Sequence, residues 1–267
     1  MGVFVVYDER LMDEVELHLK LITENNPGLS FTCSPPDPIS LLPPSIYMDS
    51  VFIEVNFSPS GALSVGAMII NELVNNNPFN GEIIIIPHFS SEIVNREGVD
   101  RTIWDEPGFI AYMANANNSW NFIIDYDASP LPTKKTFDLD NALSKIRSEG
   151  SQTAKEAKAN DIELEYGVRY VGKDGIGNVI YFPRHLILFH ELAHVFYYFF
   201  IDPVLLNNPL TEELKRIMQK NAIDWENKYR LSLGLNLRLI DPTDPTSDVE
   251  SSVCSLLRYI ELGENCP

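Results

Sequence analysis

The chain has 267 residues, 45% of them hydrophobic and 22% charged, a balance that suits a folded globular protein with one large domain or two small ones. Asp and Glu number 38 against 20 Lys and Arg, for a formal net charge of −18. That excess of acid argues against nucleic-acid backbones and anionic membranes, which require clustered Lys and Arg, so neither partner is expected.

The charge fits a soluble protein, or one whose substrate presents basic segments. The cysteines, Cys33, Cys254 and Cys266, form no CxxC pair. A disulfide framework and a Cys-ligated zinc site are therefore not expected, and reduced thiols fit better. The N-terminal stretch has no basic run before an apolar one, so no cleavable signal peptide is predicted. The expected location is the cytoplasm, or outside the cell by a route without such a signal.

In chain order, Val3 to Val6 reads as a short buried strand. Glu9 to Glu24 has apolar residues at loosely helical spacing. Prolines crowd Ser34 to Ser45, which predicts a loop, since they block both ladders and helix interiors. Val51 to Asn56 is a predicted strand, Ala62 to Val74 a helix, and Glu82 to Ile86 and Trp120 to Tyr126 buried strands. Asp138 to Ser148 and Gln152 to Ala159 read as surface helices around Gly150. Ile162 to Val171 alternates as a strand would, and Asn178 to Phe182 reads as another. Three helices are predicted after it: Arg184 to Phe200, Thr211 to Leu233 and Ser247 to Leu262. The polar stretch 133–160 suggests a boundary near residue 150. This gives an α+β chain, with an N-terminal α/β portion (1–150) for substrate selection or partner binding and a C-terminal catalytic portion (151–267).

The longest apolar run, Leu186 to Ile201, contains His190-Glu-Leu-Ala-His194. Such polar groups suit a buried helix better than a membrane span. Residues four apart on a helix lie on one face, so both imidazoles can reach one tetrahedral Zn²⁺. Glu191 lies beside the first histidine, where a carboxylate can act as general base on water. Burial would strand these groups unless they shared a partner. The strand from Val179 to Phe182 is a candidate edge along which an extended protein or peptide substrate would lie.

Zinc needs a further protein ligand. No histidine follows His194, so the ligand is expected to be a carboxylate: Glu226, Glu250 or Asp224, with Glu226 preferred. Arg230, four residues beyond Glu226, is placed to pin its carboxylate. Tyr229, Arg230, Arg238 and Tyr259 are candidates to stabilise the oxyanion, with Tyr259 and Arg238 ahead. His185 reads as a neighbour at the helix start, His88 as a loop residue, and His18 as exposed. Asp125 with Asp127, and Asp138 with Asp140, read as solvated turns.

The segment from Gly175 to Arg238 resembles the HExxH metallopeptidases found among type III secretion effectors and in toxin domains at the ends of RHS-repeat proteins. The matching pieces are Gly175-Ile-Gly-Asn-Val-Ile-Tyr-Phe-Pro, the HELAH pentad, and Glu226-Asn-Lys-Tyr-Arg230 followed by Gly234-Leu-Asn-Leu-Arg238. Asn236 departs from the family's usual Pro, Val195 from its Ala or Gly, and Gln219 and Lys220 from its frequent acidic residues. The resemblance implies a zincin-like, gluzincin-type endopeptidase and a bacterial effector or toxin that cuts a host protein. The alternatives are a zincin-like binding protein without catalysis and a zinc hydrolase of a non-peptide amide.

Overall fold

The computed structural model describes residues 2–34, 50–77, 81–96, 98–103, 108–114, 120–130, 137–166, 170–172, 179–180, 183–201, 211–238 and 253–256. The chain divides into two compact units, Met1–Pro130 with His185–Leu210, and Leu131–Arg184 with Thr211–Pro267. Composition suggested one cut near residue 150. Each unit instead joins two stretches of chain, and the residues of the HELAH motif belong with the N-terminal sheet.

Up to Pro130 the elements are β1 (Gly2–Val6), α1 (Met12–Ile22), β2 (Leu29–Ser34), β3 (Phe52–Phe57), α2 (Val65–Asn75), β4 (Glu82–His88), β5 (Ile93–Arg96), β6 (Val99–Thr102), β7 (Gly108–Ala114) and β8 (Trp120–Asp127). Next come α3 (Leu139–Arg147), α4 (Gln152–Tyr166), β9 (Tyr170–Gly172) and β10 (Val179–Ile180). The chain continues with α5 (Arg184–Phe196), a π-helical turn (Tyr197–Ile201), α6 (Glu212–Ser232) and β11 (Val253–Ser255). The α+β class expected from the sequence is therefore observed.

The first unit is built on a six-stranded mixed sheet in the order β2-β3-β1-β4-β8-β7. Its centre is parallel: β4 pairs with β1 on one side and β8 on the other. Val3, Ile83 and Phe122 share a register row, as do Val5, Ile85 and Ile124, and all six are fully buried. Residues one step along in these strands, Ile84, Ile86 and Ile123, cluster with Phe52 and are flanked by Phe4 and Val6. Both faces of the sheet are thus covered, which is why β4 reads as an unbroken isoleucine run rather than an alternation. Antiparallel strands close the sheet, with β2 at one end and β7 at the other. Neither end strand was anticipated, nor was the β5–β6 hairpin.

In the second unit, α3 and α4 pack Ala142, Leu143, Ile146, Ala159 and Ile162 around Leu256. The backbone N–H of Leu256 donates to Glu163 Oε1 at 2.6 Å. Two predictions fail here. Ile162 does not begin a strand, because α4 runs on to Tyr166 and buries Ile162 and Glu163. Residues 253–255 are not helical: they form β11, antiparallel to β9, and complete a sheet in the order β10-β9-β11. Short-range periodicity favoured helix there, and pairing with a strand more than 80 residues earlier overrode it.

Glu82 opens β4, and its Oε2 is buried without a hydrogen-bond partner. Burial raises its pKa above the usual glutamate value. A raised folded-state pKa contributes stability that is fully present below the unfolded pKa and is lost as pH rises through the folded value. Glu82→Gln is therefore expected to raise the melting temperature at neutral pH. By scanning calorimetry the gain should shrink as pH falls through the raised folded value and be gone below the unfolded glutamate pKa of about 4.3.

Candidate metal centre

The α5 helix carries the pentad within an apolar stretch, and Leu186, Leu188, Phe189, Leu192, Ala193 and Val195 are all buried around it. His190, Glu191 and His194 are buried too, at 8%, 6% and 7% exposure. The helical turn brings His194 Nε2 to 3.1 Å from His190 Nε2, with the rings nearly perpendicular at 86°. Two imidazoles bound to one tetrahedral zinc at about 2.0–2.1 Å would hold their nitrogens about 3.3 Å apart. The observed spacing fits that edge of the tetrahedron. After Phe196, two residues beyond the pentad, the helix widens into the π turn at Tyr197–Ile201, a form often found at functional sites.

Glu191 faces the sheet's end strand. A Cβ placed on Gly108, the first residue of β7, would stand 2.9 Å from Glu191 Oε1. The edge strand near the general-base candidate is thus β7. The expected edge strand, Val179 to Phe182, is observed only as β10 at 179–180, an end strand of the three-stranded sheet in the other unit. Residues 181 and 182 lie outside the described residues.

In α6 Arg230 reaches the Glu226 carboxylate, as their spacing of four residues predicted. Glu226 is 1% exposed and Arg230 fully buried. Arg230 Nε donates to Glu226 Oε1 at 2.6 Å, and Arg238 Nη1 donates to Glu226 Oε2 at 3.3 Å. Burial lowers the Arg230 pKa, and the Glu226 charge opposes that fall. Gly234 ends the helix with φ +67. Leu235 N then bonds Arg230 O and Gly234 N bonds Leu231 O, the paired bonds of a Schellman stop.

This stop turns the chain back so that Asn227 grips Arg238. Asn227 Nδ2 donates to Arg238 O at 2.6 Å, and Arg238 N donates to Asn227 Oδ1 at 2.8 Å. Arg230 Nη1 also donates to Asn236 O at 3.3 Å. These contacts give the E-N-x-x-R and G-L-x-x-R pieces a shared physical purpose. Asn227 is the residue that sequence reasoning overlooked, although it stood within the motif. Arg238, a candidate oxyanion donor, is held on Glu226. Tyr229 is buried in α6, and Asp224 is exposed. Glu250 and Tyr259 lie outside the described residues.

Several polar residues stand elsewhere than predicted. His18 is buried, with Nδ1 3.2 Å from the Tyr126 hydroxyl. His185, at the start of α5, has its ring centroid 6.4 Å from that of His18. His88 is not in a loop but ends β4, with Nε2 2.7 Å from Asp125 and Nδ1 2.9 Å from Glu92. Asp125 and Asp127 are not solvated: both are fully buried in β8, and Ser90 Oγ donates to Asp127 Oδ2 at 2.6 Å. Partners brought from β4 and the residues after it make that burial tolerable. Asp138 does sit exposed, as expected, and caps α3 by accepting from Asn141 N at 3.0 Å.

The structure thus brings His190, Glu191 and His194 together in one unit, and Glu226, Asn227, Arg230 and Arg238 together in the other. Among the described residues no cluster of three or more His, Cys, Asp or Glu side chains is assembled to hold a metal ion. The imidazole pair is the part that fits zinc. No helix among the described residues is long and apolar enough to cross a membrane. Comparison with protein-family models, curated proteins and solved structures finds no match to this chain.

Proposed function

We propose that the chain is a zinc-dependent endopeptidase in which His190 and His194 bind the metal and Glu191 is the general base. The observation that carries this reading is the 3.1 Å approach of the two Nε2 atoms on a buried helix that also bears Glu191. A zinc ion held there would supply a Lewis acid that polarises the scissile carbonyl and acidifies water. Glu191 would take the proton of the attacking water and pass it to the leaving amine. Its burial keeps competing solvent away and strengthens each electrostatic contact. The backbone of β7, at the end of its sheet, would receive an extended peptide.

The role of bacterial effector or toxin rests on the resemblance of Gly175–Arg238 alone. The charge of −18 favours substrates with basic segments. A spacing of 3.1 Å also suits one imidazole donating to the other, the reading in which the chain binds a partner without catalysis.

Elemental mass spectrometry separates the two readings. Wild type is expected to hold about one zinc per chain, and His190→Ala to lose it. Glu226→Gln in the same series tests the carboxylate that sequence reasoning names as the third ligand. A wild-type protein that contains no zinc, and takes up none on titration, removes the enzyme reading. A panel of protein and small-molecule amides then separates peptide from non-peptide hydrolysis.

A further inference from the structure

Gly108 begins β7 at a point where the strand backbone meets α5. A Cβ there would stand 2.7 Å from Ile187 Cγ2, 2.9 Å from Glu191 Oε1 and 3.1 Å from Glu191 Cγ. Carbon contacts settle at about 3.5–4.0 Å, so no side chain fits without displacing a neighbour. The φ of Gly108 is not among the positive values that favour glycine. Space, and not backbone conformation, is what calls for glycine here. Ile187 and Glu191 are four residues apart and share one helix face, so a single Cβ would press on both.

We propose that Gly108 is a positioning residue for Glu191, its missing side chain leaving the volume in which the carboxylate sits against the edge strand. The inference rests on Glu191 being the general base. A base must come within about 2.6–3.2 Å of the atom whose proton it takes. A displacement of about 1 Å can cost roughly 100-fold in rate.

The test compares wild type, Gly108→Ala and the double variant Gly108→Ala/Ile187→Ala. Zinc content, kcat and KM are measured for each, together with the ¹³Cδ resonance of Glu191 in protein labelled at glutamate. That resonance is identified by its loss in Glu191→Gln. Gly108→Ala is expected to keep its zinc and its KM, to lose about 10- to 100-fold in kcat, and to shift the Glu191 resonance. The double variant removes the clash with Ile187 and is expected to stay impaired. Recovery of kcat in the double variant would reduce Gly108 to a helix-packing role and overturn the proposal. An unchanged Glu191 resonance in a folded Gly108→Ala protein would overturn it as well. That resonance needs neither metal nor substrate, so absence of zinc from wild type would sink the endopeptidase reading and leave the Glu191 contact separately tested.

Discussion

Glu191→Gln is expected to lower hydrolysis by about 10²- to 10⁴-fold, the usual contribution of a positioned general base, while zinc content stays at the wild-type level. Glutamine keeps the shape of the side chain and its capacity to accept hydrogen bonds, but its amide cannot take a proton from water. Glu191 is 6% exposed and packs against the bare backbone of Gly108. Paired measurements of kcat/KM and zinc content on one preparation make the check. Undiminished activity with zinc in place would mean that the proton goes elsewhere, and Glu191 would lose its assigned role.

Arg230→Ala is expected to destabilise the protein by about 3–5 kcal/mol, the typical cost of deleting one partner of a buried ion pair. Arg230 is fully buried and Glu226 is 1% exposed. The substitution removes the 2.6 Å bond to Glu226 Oε1 and the bond to Asn236 O. It leaves a buried carboxylate held by Arg238 at 3.3 Å. Replacing both partners, as in Glu226→Leu/Arg230→Leu, removes the buried carboxylate as well and is expected to cost less than the single change. Urea unfolding of the two variants reads the difference. A double variant less stable than Arg230→Ala would show that the guanidinium matters by its bulk rather than its charge.

How much of the fold could be read in advance depended on how local its cause was. The central strands β1 and β4 announced themselves because burial on both faces writes a continuous apolar run into a few consecutive residues. Helix α6 was legible at both ends. Thr211 caps it by accepting from Leu214 N, and Gly234 supplies the positive φ that stops it. The outer strand β7 carried no such mark, since its place follows from pairing with β8. Residues 162–166 and 253–255 went astray for a related reason, because alternation and helical spacing over short windows are outvoted by packing around Leu256 and pairing with β9.

For the candidate centre, the sequence by itself determined which side chains share a face of α5, because a spacing of four residues on a helix is a covalent fact plus a fixed pitch. It also placed Arg230 within reach of Glu226 by the same rule. Tertiary structure alone decided that β7 meets α5 at a residue with no side chain, that Asn227 and Arg238 close a clasp on the end of α6, and that His18, Asp125 and Asp127 are buried. Each of those outcomes depends on which distant segment arrives as a neighbour, and local spacing carries no record of that arrival.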